Sequence, residues 1–133
     1  MHEVSAYVDG ACSNNPGPMG AGVLLVFGPH RRSIGRYLGE GTNNVAELSA
    51  IKIALEMLKD RSKCELIVVT DSKYCIGVLM NGWKVQSNTE LVKTIRALAK
   101  ECPKFGMRHG HSKEAHTLAR SAIKMRGNWD ERS

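Results

Sequence analysis

The stretch Glu65-Leu66-Ile67-Val68-Val69-Thr70 constrains the fold of this chain more than any other. Its unbroken apolar run is rich in β-branched side chains, too short for a buried helix, and shows no polar alternation. It is expected as a strand covered on both faces in a parallel sheet, and as the central one. Asp71-Ser72 follows at once and can cap a helix over residues 72–81, with Asn81-Gly82 as its stop. Upstream, Val45, Leu48, Ile51, Leu55 and Leu58 recur at spacings of three and four, which predicts a helix opened by Thr42 or Asn43 and running to Lys59.

The remaining segments complete an alternating pattern. Residues 3–9 (EVSAYVD) alternate polar and apolar; the turn cluster Ser13-Asn14-Asn15-Pro16-Gly17-Pro18 precedes the apolar residues 21–27, and Gly28-Pro29 precedes a third strand at 32–38. After the second helix come a helix at 89–101, a break at Pro103, a short strand at 104–108 and a closing helix at 113–126. The order is β-β-β-α-β-α-α-β-α in one α/β domain over residues 1–127, with residues 128–133 expected as a flexible tail. A chain of 133 residues has room for one hydrophobic core and not for two.

With 42% hydrophobic and 24% charged residues the chain is too apolar to stay disordered. No apolar run approaches the roughly 18 residues of a membrane helix, and Met1-His2-Glu3 lacks the layout of a signal peptide, so no membrane partner and a cytoplasmic location are expected. Cys12, Cys64, Cys75 and Cys102 form no C-x-x-C pair and are read as reduced thiols. Residues 1–83 are balanced, with 8 Lys and Arg against 8 Asp and Glu, whereas residues 84–133 carry 11 against 5, so the net charge of +6 arises in the last fifty residues. One strongly basic side suits a polyanionic partner, because neutralising phosphates releases condensed counterions.

Three acids stand where ligands gather in mixed α/β sheets, beyond the carboxyl ends of the strands. Asp9 closes the first strand, Asp71 closes the fourth, and Glu47 lies near the start of the helix between them. Converging carboxylates repel one another, and a fold tolerates them when a cation compensates or some hold a proton. Mg²⁺, which prefers hard oxygen ligands and shares them with substrate phosphates, is the natural candidate. Two such ions about 4 Å apart can stabilise both oxygens of an in-line phosphoryl displacement. The layout therefore points to metal-dependent phosphodiester chemistry.

The surroundings of these acids are distinctive. Asp9-Gly10-Ala11 with Asn15-Pro16-Gly17-Pro18, then Thr42-Asn43-Asn44-Val45-Ala46-Glu47-Leu48, then Thr70-Asp71-Ser72-Lys73-Tyr74, resemble type 1 ribonuclease H in order and spacing. The resemblance runs from about residue 3 to residue 126 and includes Gly82-Trp83-Lys84 and Leu118-Ala119-Arg120. It implies a five-stranded mixed sheet flanked by helices and an endonuclease that cleaves the RNA strand of RNA–DNA hybrids with two Mg²⁺ ions, leaving 5′-phosphate and 3′-hydroxyl ends. By resemblance Asp9 bridges both ions, while Glu47 and Asp71 hold one each. Gly10, Asn15, Asn43, Asn44, Thr42, Ser72 and Trp83 are the implied substrate contacts, the asparagines at sugar edges, Thr42 at a DNA phosphate and Trp83 beside the DNA strand. A monomer is expected.

The chain departs from this family at the closing helix, where a fourth carboxylate should stand two residues before Leu118 and His116 stands instead. Glu114 is no substitute, since two helical steps rotate a side chain by about 200°. Neutral imidazole ligates Mn²⁺ better than Mg²⁺, so His116 on the second-metal side predicts a preference for Mn²⁺ and for alkaline pH. The loop Met107-Arg108-His109-Gly110-His111-Ser112 corresponds to a histidine-bearing loop of the family that assists proton transfer or product release, and His111 is favoured over His109 for that role. The family's longer members carry a basic protrusion that is absent here, which leaves Lys84, Lys93, Arg96 and Lys100 to grip the hybrid. The alternative is a catalytically weak module of the same fold that binds a hybrid or double-stranded RNA, disabled by the change at His116.

Overall fold

The computed structural model describes residues 1–132. Its elements are β1 (His2–Cys12), β2 (Gly17–Phe27), β3 (His30–Gly41), α1 (Asn43–Met57), β4 (Cys64–Thr70), α2 (Lys73–Met80), α3 (Thr89–Lys100), β5 (Lys104–His109), α4 (Lys113–Met125) and β6 (Trp129–Arg132). A short 3-10 turn, Arg61–Lys63, links α1 to β4. The strands form one sheet in the order β5-β4-β1-β2-β3-β6, with β1–β4 and β4–β5 parallel and the other pairs antiparallel. This is the mixed α/β arrangement that the resemblance implied, with six strands instead of five.

Three expectations change. β4 is not central: β1 and β2 occupy the middle of the sheet, β4 lies one strand from the edge, and Ile67 on it is exposed. An apolar run reports coverage, not rank within a sheet. The tail expected to be loose supplies β6, which pairs with β3 from Arg32↔Arg132 to Gly35↔Trp129 and is pinned by a two-pronged Arg32–Asp130 ion pair. The first strand does not end at Asp9 but continues to Cys12, because β2 pairs with it as far as Cys12↔Met19.

The two faces of the sheet are covered by different helices. Along β1, Val4, Ala6 and Val8 face one side, where they meet Leu48, Ile51 and Leu55 of α1 in the main core. Ala11 faces the other side and packs with Ala119 and Ile123 of α4. Thr42 caps α1, its Oγ1 accepting a hydrogen bond from the Val45 amide. Glycines set how closely the helices approach. A Cβ at Gly10 would overlap the α1 backbone at Ala46 and Glu47, and Cβ atoms at Gly20 and Gly22 would overlap the α4 carbonyls of Ala119 and Ala115. Among the described residues no helix is long and apolar enough to cross a membrane.

Candidate active site

The parallel ladder between β1 and β4 stops at Tyr7↔Val69, while β1 runs on against β2. Where the two strands part, Asp9 and Asp71 extend beyond the ladder, and α1 brings Glu47 down beside them. One oxygen from each of Asp9, Glu47 and Asp71 lies within 4.8 Å of the others. Asp9 and Glu47 are each only 5% exposed, whereas Asp71 faces solvent. The three acids singled out by sequence therefore do converge, two in the interior and one at the mouth.

Glu47 reaches this position because Gly10 lacks a side chain, and its Oε1 accepts a hydrogen bond from the Gly10 amide. Burial drives the Glu47 carboxyl up to about 9, with the negative charges of Asp9 and Asp71 adding to the rise against the opposing Gly10 hydrogen bond. At neutral pH the metal-free cluster relieves its repulsion by retaining a proton. A divalent cation relieves it in the other way, and an all-oxygen, carboxylate-only donor set with one exposed member fits hard ions of the Mg²⁺ or Mn²⁺ type.

Both histidines favoured by sequence meet the cluster. α4 seats its backbone on Gly20 and Gly22, and Gly22 pairs with Asp9 across β1 and β2. His116, one residue beyond Ala115, consequently lies with Nδ1 2.7 Å from Asp9 Oδ2. His111 Nδ1 lies 3.2 Å from Asp71 Oδ2, and the two imidazoles are 5.8 Å apart. His109 ends β5 opposite Thr70 and is exposed.

The implied substrate contacts are distributed around this mouth. Asn15 Oδ1 accepts from the Asn43 amide at 2.9 Å and ties the β1–β2 loop to the start of α1. Thr42, Asn43 and Asn44 are exposed. Ser72 Oγ caps α2 by accepting from the Cys75 amide. Trp83 is 51% exposed and lays one face of its indole over Gly77, where any Cβ would collide with the ring. Of the basic residues expected to grip a polyanion, Arg96 is otherwise engaged. Its Nη2 donates to the Val78 carbonyl at 2.6 Å, satisfying one of the orphan carbonyls at the end of α2.

Two contributors escaped the sequence reading. Thr70 is buried, its Oγ1 accepts from the Ser72 amide and its carbonyl accepts from the Gly110 amide, so one residue shapes the turn at Asp71 and anchors the loop of His111. A hydroxyl ending an apolar strand directly before Asp-Ser is the signal that could have revealed it. Gly20 and Gly22 were signalled by glycines alternating within an apolar strand, a pattern that marks close approach of another backbone.

Comparison with known proteins gives a consistent result. Residues 1–119 match the ribonuclease H family model. The ribonuclease H of Chlorobium chlorochromatii is 37% identical over an alignment of 142 residues that covers 92% of this chain and 96% of that protein. The ribonuclease H of Desulforamulus reducens is 41% identical over 83 residues, covering 62% of this chain and 51% of the relative, so that match spans about half the relative's length. Among solved structures, LC11-RNase H1 in complex with an RNA/DNA hybrid superposes with a TM-score of 0.81 at 29% identity, covering 92% of this chain and 98% of that one.

Proposed function

The chain belongs to the ribonuclease H family, and from that premise we propose that it is a divalent-metal-dependent endonuclease hydrolysing the RNA strand of RNA–DNA hybrids to 5′-phosphate and 3′-hydroxyl products. The observation that carries this reading is the gathering of Asp9, Glu47 and Asp71 at the point where β1 and β4 part. The hybrid in the LC11-RNase H1 complex supports the choice of substrate.

Asp9, Glu47 and Asp71 would hold the metal. Divalent ions bound there supply activation of the attacking water and stabilisation of charge on the phosphate oxygens. Asp9 would be the central ligand, being buried and flanked by both other acids and by His116. The Gly10 amide fixes the orientation of Glu47 before substrate arrives, which avoids reorganisation on binding. His111 turns Nδ1 toward Asp71, leaving Nε2 as the atom that passes a proton to the leaving oxygen. Asn15 and Asn43, tied by a hydrogen bond at the loop–helix junction, and the exposed Asn44 beside them read the 2′-hydroxyl that distinguishes RNA from DNA. Thr42 and Ser72 present hydroxyls toward phosphate, and the free face of Trp83 lies along the DNA strand.

The test uses labelled hybrid, duplex RNA and duplex DNA, each with Mg²⁺ or Mn²⁺. Cleavage confined to the hybrid's RNA strand is expected, with Asp9→Asn lowering the rate by about a thousandfold, the scale of several kcal/mol of lost transition-state stabilisation. Hybrid that is bound but uncut with either ion would favour a binding module instead. His116 replaces a negative charge beside the ions, so the wild type should be faster with Mn²⁺ and at alkaline pH, and His116→Asp should shift the preference toward Mg²⁺. Equal rates with both ions across pH 6–9, unchanged in the variant, would overturn the role given to His116.

A further inference from the structure

At the opposite end of the sheet from the carboxylates, a cavity of about 500 Å³ opens between the start of β1, the β2–β3 hairpin and the C-terminal end of α1. Its walls are apolar and include Val4, Leu25, Met57 and Leu58. Phe27 lies at its mouth, partly exposed, with His2 edge-on against the ring and His30 stacked at 5.9 Å. The volume falls within the range of small-molecule sites, roughly 300–1,000 Å³, and a mainly apolar lining with a few polar groups at one side is their usual composition.

The rim carries positive charge that the protein only partly neutralises. Arg31 is paired with Glu114, and Arg32 is paired with Asp130, beside which Arg132 also lies. Lys63 stands 4.0 Å from Asp60, whose Oδ1 already accepts from the amide and hydroxyl of Ser62. Lys59 has no carboxylate at ion-pair distance among the described residues. Little unspent charge remains, enough for one acidic group and not for a string of them. An apolar recess under such a rim matches a ligand with an apolar body and a single acidic head.

We propose that this cavity is a binding site for a small amphiphilic anion, a carboxylate or phosphate attached to a medium-length apolar chain. The head group pairs with Lys59 and Lys63 while the chain displaces water from Val4, Leu25, Met57 and Leu58. Seven residue steps along extended β1 separate His2 from Asp9, about 23 Å, so occupancy leaves the carboxylate cluster open.

The experiment titrates the intact protein, labelled at methionine and leucine methyl groups, with decanoate, decyl phosphate and neutral decanol below their aggregation limits. Saturable shifts of Met57, Leu25 and Leu58 are expected with the anions, while Met80 and Met125 stay still. Decanol should bind about tenfold more weakly, and the surface variant Lys59→Glu/Lys63→Glu should weaken the anions about tenfold without altering decanol. A response to only one of the two anions identifies which acidic head the site takes. Equal binding of decanol, anion binding unchanged in the double variant, or no saturable shift overturns the proposal. So does a peptide of alternating glutamate and leucine that binds where both anions fail.

Discussion

At its N-terminal end α1 delivers Glu47 to two other carboxylates in a nearly buried pocket; at its C-terminal end the same helix contributes Met57 and Leu58 to an apolar recess ringed by cations. The first region concentrates like charges that the fold alone leaves in mutual repulsion, and it answers with a retained proton on Glu47. The second region spreads its charges over the rim and pairs most of them within the chain. Electrostatic tension is thus confined to one end of the sheet, and the glycines that permit it are confined there as well. Gly10 admits α1, and Gly22 admits the turn of α4 that carries His116.

The contrast breaks most visibly at Gly22. Gly22→Ala places a methyl group into the Ala115 carbonyl and should cost about 1–3 kcal/mol in urea unfolding, the usual scale of overpacking. It should also displace His116 from Asp9 and lower the cleavage rate, while the methyl resonances of Met57 at the other end stay unchanged. Wild-type stability together with wild-type cleavage would show that the seating of α4 does not position His116.

A smaller effect sharpens the electrostatic half of the comparison. Glu47 titrates near 4.5 when unfolded and near 9 in the metal-free fold, so the native state holds the extra proton between those values. Stability of the chelated protein should therefore fall as pH rises from about 5 toward 9. Glu47→Gln should flatten that fall and gain about 1–2 kcal/mol at pH 8, while abolishing stabilisation by added Mg²⁺ or Mn²⁺. A chelated wild type whose urea midpoint rises across this range would reverse the sign and refute the account.

The smallest effects separate two basic residues on α3. Arg96→Ala should cost about 1 kcal/mol of stability through the lost bond to Val78 and leave the salt dependence of hybrid binding intact. Lys93→Gln should leave stability intact and reduce the slope of log affinity against log salt by about one. Identical slopes in both variants would remove Lys93 from the binding face.

Much of this architecture is legible in the residues, and what is not has physical causes. The spacing of Leu48, Ile51 and Leu55 reveals α1 because one helical face is buried against the sheet. The apolar run before Asp71 reveals a strand, yet cannot rank it, since burial of Val68 and Val69 is compatible with any position that has neighbours on both sides. β6 was invisible because all four of its residues are exposed and it is held by backbone pairing and an ion pair, neither of which leaves a hydrophobic pattern. The turn cluster through Gly17 and Pro18 reads as a break, but Gly17 pairs with Gly41 and the strands continue past a bulge at Met19 and Gly20. Within the site, the acids and histidines are visible because chemistry demands their side chains. Thr70 and the Gly10 amide are not, because they work through short local bonds and the main chain.

The Gly10 amide differs in kind from the side chains of the site. The donor holding Glu47 belongs to the peptide backbone, exposed by the end of the β1–β4 ladder, and every amino acid except proline carries it. No codon at position 10 can tune its strength; a substitution there can only wedge α1 away. In this chain the orientation of that glutamate is therefore set by the spacing of β1 and α1, a property of the whole domain and not of any one side chain.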